Sequence, residues 1–238
     1  MEELKISAKN LAGVALEDAC PRCAWIQMHH EGKMPFPTPF PGIFIAIDAY
    51  TKQMVRETFE NTMKLPDWFP EIGTVKGIVS EDELHWSRYF RVDKKLRTTL
   101  RGSPDDIFQL DDGSFHIVDY KTARFTEAQD ALYPMYDVQL NGYAYIAEAT
   151  GHVPVSGLSL IYFEPQTETT RGKRAGAPAT GAWLEFRATR KKVPLAAQGR
   201  IPALLARARE IFDLKTVPAG VADCKNCERV ENFLKVAR

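Results

Sequence analysis

The chain has 238 residues, 45% apolar and 26% charged, which suits a soluble α/β protein and excludes disordered or collagen-like classes. Its 31 Lys and Arg balance 31 Asp and Glu, so net charge does not by itself point to nucleic acid. The longest apolar run, residues 43–50, is short and interrupted by Asp48, and the start MEELKISAKN has no signal-peptide pattern. The expectation is a cytoplasmic protein with no membrane partner.

In chain order, a helical segment starts near Ala8, leads into Cys20-Pro-Arg-Cys23 and continues towards His30. Prolines at 35, 37, 39 and 41 make residues 35–41 an extended connector. Residues 43–63 then predict a long helix that stops before Leu65-Pro66. From Thr74 to Lys121 β-type residues recur, with turn chemistry between them. Residues 135–149 predict a helix, with Pro134 in its first turn and Gly151 just past its end. Strands are expected at 155–163 and 182–189, and a helix at 196–214 before the last cysteine pair. This order gives a mixed sheet flanked by helices.

Charge is unevenly distributed. Arg88, Arg91, Lys94, Lys95, Arg97 and Arg101 form one basic stretch, and a second runs from Arg171 to Lys192. Each is either a solvated face or a source of phosphate contacts. Trp86, Tyr89 and Phe90 beside the first stretch suit either base stacking or the core.

The segment from Gly102 to Lys121 carries the strongest chemical signal. Asp111-Asp112-Gly113 is a three-residue hairpin loop with Gly where a left-handed residue falls. With Leu110 and Ser114 flanking it, Asp105 lies opposite Asp119. Like charges facing across two strands destabilise a sheet unless a cation sits between them, and such oxygen ligands suit Mg²⁺ or Mn²⁺. Strand periodicity puts Lys121 on the same face as Asp119. Carboxylates, a metal-activated water and a lysine that orients it and stabilises phosphate charge are the parts of a hydrolytic phosphodiester site. The carbonyl of Tyr120 is a further candidate ligand. Acidic-x-Lys tripeptides are common in this chain, but only Asp119/Lys121 ends an apolar strand whose hairpin partner begins with a carboxylate.

Gly102-Ser-Pro-Asp105 followed by Ile117-Val-Asp119-Tyr-Lys121-Thr122 resembles the signature of RecB-like PD-(D/E)XK nucleases. Gln139-Leu-Asn-Gly-Tyr143 resembles that family's Q-x-x-x-Y motif, whose two residues share a helix face. The resemblance covers roughly residues 100–148. It implies a restriction-endonuclease-like fold and catalytic roles for Asp105, Asp119, Lys121, Gln139 and Tyr143. It further implies an Mg²⁺- or Mn²⁺-dependent deoxyribonuclease acting on single-stranded DNA or DNA ends. Many of these relatives carry a histidine in the helix before the sheet. Here that helix has none, and Asp48 is the candidate ligand in its place. The rival expectations are a catalytically weak or inactive DNA-binding subunit acting through a partner, and a zinc-binding C-x-x-C protein.

All four cysteines fall in two C-x-x-C pairs, Cys20/Cys23 and Cys224/Cys227. In a cytosolic chain this favours metal over disulfides, and spacing alone suggests tetrahedral zinc. The resemblance adds a second candidate. CRISPR-associated RecB-like nucleases, AddB-type subunits and exonuclease V carry a [4Fe–4S] cluster on cysteines that flank the core, usually one before and three after. The expectation is that cluster, or structural Zn²⁺, joining residues 15–31 to 218–238 within one nuclease domain over residues 1–238. Partners implied by the resemblance are DNA and proteins of CRISPR adaptation, recombination or repair.

Overall fold

The computed structural model describes residues 2–16, 18–30, 41–124, 132–166 and 184–236. Most of the expected proline-rich connector, and residues 171–183 of the second basic stretch, lie outside them. The principal sheet has the order β2 (Val75–Ile78), β5 (Asp106–Leu110), β6 (Phe115–Lys121), β7 (Val155–Gln166), β8 (Glu185–Val193). All neighbours are antiparallel except β6 and β7, which are parallel because the helix α5 (Tyr133–Thr150) lies between them in sequence. A smaller sheet pairs β1 (Leu4–Ser7) parallel with β4 (Thr98–Arg101), and β4 antiparallel with β3 (Phe90–Asp93). The four-residue β1 precedes the first expected helix and is too short to show an alternation in the sequence.

Where one continuous N-terminal helix was expected there are two, α1 (Ala8–Ala15) and α2 (Pro21–His29). Ser7 caps α1 by accepting the Asn10 N–H, Leu16 is extended, and Pro21 restarts the helix where its missing N–H costs nothing. The long helix α3 (Gly42–Thr62) stops at Met63, which takes a left-handed conformation at φ 56°. In α5, Pro134 lies in the first turn and Gly151 closes the helix at φ 86°. The helix α6 (Ala197–Phe212) follows β8, and α7 (Lys225–Val236) carries Cys227.

Two apolar clusters cover the two faces of the principal sheet. Ile117, Leu158 and Leu160 pack towards α1, α5 and α6, while Val118, Tyr120 and Ile161 pack with Val55 of α3 and with Phe69 and Ile72. Alternation along β6 therefore sends Ile117, Asp119 and Lys121 towards α5 and the residues between them towards α3. The middle of α5 is buried on every side, from Val138 to Ala147. The fold is mixed α/β, with its sheets flanked by helices. No helix among the described residues is long and apolar enough to cross a membrane.

Candidate active site

The β5–β6 hairpin turns through Asp111, Asp112 and Gly113, with Gly113 at φ 84°. The Leu110 N–H donates to the Ser114 carbonyl at 2.8 Å, and Asp106 pairs with Val118. One step further along this register, Asp105 faces Asp119. The Asp105 Oδ2 accepts the backbone N–H of Tyr120 at 2.7 Å, which binds the start of one strand to the end of the other. Asp105 is pushed up to about 7, first by burial and then by the neighbouring Asp119 charge, against the pull of Lys52. Burial and the facing carboxylate thus both disfavour the charged form of Asp105.

Asp119 is held from α5. Gln139 Nε2 donates to Asp119 Oδ1 at 3.0 Å and to the Tyr143 hydroxyl at 2.7 Å. Gln139 and Tyr143 thus face Asp119, as their spacing on one helix predicts. Gly102 lets the chain pass the Tyr143 ring, because a Cβ there would meet Tyr143 Cδ1 at 2.8 Å. Lys121 forms an ion pair with Asp119 Oδ2, and its ammonium also lies 4.3 Å from the Tyr136 ring centroid. Yet Asp119 Oδ2 is buried and accepts no hydrogen bond of acceptable geometry. The ion pair is close but poorly aligned, so this oxygen retains unused acceptor capacity.

The α3 helix reaches the same place from the opposite side. Lys52 Nζ lies 2.6 Å from Asp105 Oδ1 and 2.7 Å from Asp48 Oδ2. Asp48 is half-buried and is joined to the pair of facing carboxylates through Lys52. One turn on, Arg56 Nη2 donates to Asp106 Oδ1 at 2.5 Å, and the Tyr120 hydroxyl donates to Asp106 Oδ2 at 2.7 Å. Burial raises Asp106 to about 6 in spite of Arg56. Sequence reasoning missed Lys52, Arg56 and Asp106. The one available signal was the i, i+4 spacing of Asp48, Lys52 and Arg56 along one helix face.

The PD-(D/E)XK nuclease superfamily model matches residues 39–231, a span that contains every residue of this carboxylate–lysine site. The chain belongs to the PD-(D/E)XK nuclease superfamily. No curated protein sequence matches it. Among solved structures it is similar to the crystal structure of SSO0001, with 13% identity over 92% of this chain and 80% of that one, at a TM-score of 0.45.

PD-(D/E)XK nucleases typically use divalent metals, and the residues here fit one. Asp105 and Asp119 offer hard oxygen donors, burial and the Asp119 charge penalise ionised Asp105, and Asp119 Oδ2 has no hydrogen bond. Tyr120 gives its N–H to Asp105 and turns its ring to the α3 side.

The four cysteines, all free, converge from the two terminal segments. Cys20 and Cys227 sulfurs are 3.5 Å apart, Cys23 lies 3.6 Å from both Cys224 and Cys227, and all four fall within 4.8 Å of one another. Although burial opposes it, backbone N–H groups of Cys23 and Val221 lower the Cys20 thiol to about 6, whereas burial and the neighbouring thiols raise Cys23 and push Cys227 up to about 11, so without a cation these sulfurs resist ionising together. Such a set can hold a zinc ion or a metal cluster. His29 plays no part in it: the ring is stacked between Trp25 and Phe212, at centroid distances of 3.9 and 4.6 Å.

The aromatic trio near the first basic stretch divides. Tyr89 is fully buried and donates its hydroxyl to the Tyr143 carbonyl at 2.7 Å, whereas Trp86 and Phe90 are exposed. Arg88 pairs with Asp82, Arg91 is tied to Glu148 and the Tyr145 carbonyl, and Arg101 lies over the Trp86 ring.

Proposed function

We propose that the chain is a RecB-like, metal-dependent DNA nuclease that hydrolyses phosphodiester bonds in single-stranded DNA or at DNA ends. The observation that carries this reading is the hairpin, where Asp105 faces Asp119, Asp119 Oδ2 is buried without a hydrogen bond, and Lys121 lies beside it. Asp105, Asp119 and the Tyr120 carbonyl would hold Mg²⁺ or Mn²⁺. When bound there, such an ion supplies Lewis acidity and a water of lowered pKa. Lys121 orients that water through its ammonium and offsets charge on the phosphate. Gln139 fixes Asp119 by donating to Oδ1, which would leave Oδ2 for the cation, and the Tyr143 hydroxyl fixes the Gln139 amide in turn.

The test is cleavage of labelled single- and double-stranded DNA with Mg²⁺ or Mn²⁺, with the Asp119→Asn variant as control. Metal-dependent cleavage that this variant lacks is the expected result. Binding without cleavage by the unaltered protein would instead favour the inactive-subunit reading, which the absence of a histidine in α3 supports.

For the cysteine centre we favour zinc over the cluster. Four sulfurs bonded at 2.3 Å to one tetrahedral ion lie roughly 3.8 Å apart. Those around a four-iron cubane lie roughly 6 Å apart. The separations of 3.5–3.6 Å support the single ion. A colourless protein with one zinc per chain is expected; a brown one absorbing near 400 nm would overturn it.

A further inference from the structure

The face of α3 presents Asp48, Lys52 and Arg56 on successive turns, and the last two grip Asp105, just before β5, and Asp106, its first residue. The two grips differ. Asp106 is completely buried, and Arg56 and the Tyr120 hydroxyl satisfy both its oxygens, so that pair is closed. Lys52 keeps a quarter of its side chain exposed and bridges two carboxylates, one of which faces Asp119 across the hairpin. Around the candidate metal position there are then two lysines, one from each side: Lys121 on Asp119 and Lys52 on Asp105.

We propose that Lys52 is a second active-site lysine, which occupies Asp105 until a divalent ion arrives and then binds a phosphate of the DNA. This rests on the nuclease reading above. Asp105 Oδ2 accepts the Tyr120 N–H, and the other oxygen, Oδ1, is the one that Lys52 pairs with. A divalent cation at Oδ1 competes with the Lys52 ammonium for the same oxygen, by like-charge repulsion as well as by space, and displaces it. A lysine stem is long and flexible, so the released ammonium stays tethered beside the site.

Formal charge favours the same exchange. With all five groups ionised, Asp48, Asp105 and Asp119 with Lys52 and Lys121 carry one net negative charge, and a divalent ion makes it one positive. One phosphodiester group then neutralises the site. Removal of Lys52 should thus affect metal and DNA in opposite directions.

The experiment measures Mn²⁺ binding without DNA, from the electron paramagnetic resonance signal of free Mn²⁺. It also measures kcat and KM for cleavage of a single-stranded oligonucleotide. Lys52→Met should bind Mn²⁺ roughly tenfold more tightly, having lost the competing ammonium. Its KM for DNA should rise by about tenfold, having lost a phosphate contact. Lys52→Arg, which keeps the charge, should stay near the unaltered protein in KM and guards against a folding defect in the first variant. Weaker Mn²⁺ binding by Lys52→Met would make the lysine a positioning strut and overturn the proposal. Tighter Mn²⁺ binding with unchanged KM, or no change in either, would overturn it as well. In those cases an unaltered protein that still cleaves leaves the nuclease reading intact. An unaltered protein that neither binds Mn²⁺ nor cleaves sinks both.

Discussion

At the β5–β6 hairpin, a single tight turn brings two carboxylates face to face; in the cysteine centre, four thiols converge from segments 201 to 207 residues apart. The first arrangement follows directly from a strand ladder, and the fold bears its cost, because burial and mutual repulsion raise Asp105. The second closes the chain on itself, and closing a long loop restricts the unfolded state. The carboxylate centre is therefore expected to be expendable for stability and essential for chemistry. The thiol centre should show the reverse.

The largest effect separating them should come from Asp105→Asn and Asp119→Asn. Each is expected to lower metal-dependent cleavage by at least about a thousandfold. Melting should shift far less than in a cysteine variant, since relief of the facing like charges offsets the partner that Lys52 or Lys121 loses. A melting temperature that drops as far as in a cysteine variant would mean that these carboxylates hold the fold, and the contrast would collapse.

Next in size is removal of the thiol-bound metal, by chelation or by Cys227→Ala. Loss of a closure about two hundred residues long corresponds to roughly 5 kcal/mol, or a fall in melting temperature of about 10 °C or more. Cleavage measured well below that temperature should persist. Unchanged melting after chelation would show that the thiols hold no metal.

Gln139→Leu tests the support behind Asp119. Its amide orients Asp119, so cleavage should fall by about ten- to a hundredfold, with little change in melting. An activity loss no larger than the stability loss would reduce Gln139 to a packing residue.

A separate effect, on stability alone and far from the chemistry, lies on the opposite face of β6. His116, whose Nε2 is 2.9 Å from Ser159 Oγ, is lowered to about 4 by burial and by the positive charges of Arg190 and Lys192. The folded state keeps it neutral while the unfolded chain takes up a proton below about pH 6.5. Its contribution to stability is thus complete above that pH and fades as pH falls towards 4, by at most about 3 kcal/mol. Denaturant melts of the unaltered protein and His116→Gln across this window should converge in acid. Parallel pH profiles would rule the histidine out.

The sequence made some of this legible and left the rest hidden, for physical reasons. The Asp-Asp-Gly loop fixes the register of its own hairpin, and a period of two puts Asp119 and Lys121 on one face. Pro134 and Gly151 mark the limits of α5, so Gln139 and Tyr143 followed. Nothing local states which helix meets the start of β5, so the grips of Lys52 and Arg56 were invisible. The N-terminal strand β1 gains its partner from Thr98–Arg101, far along the chain, and the break at Leu16 looked like continuous helix. Tyr89 was ambiguous beside a basic run, and only its burial against α5 assigns it to the core.

The cysteine centre also has a consequence for how the protein is made. Cys20 and Cys23 leave the ribosome long before Cys224 and Cys227 are translated, the gap being at least 201 residues. At ordinary elongation rates that interval is roughly ten to forty seconds. During it the first pair has two thiols and no partners, so it is open to oxidation or to a wrongly bound ion. If the four thiols hold a metal as proposed, a mature centre depends on what the early pair meets while synthesis is still under way. The supply of metal and reductant during translation, rather than afterwards, should set the yield of intact protein.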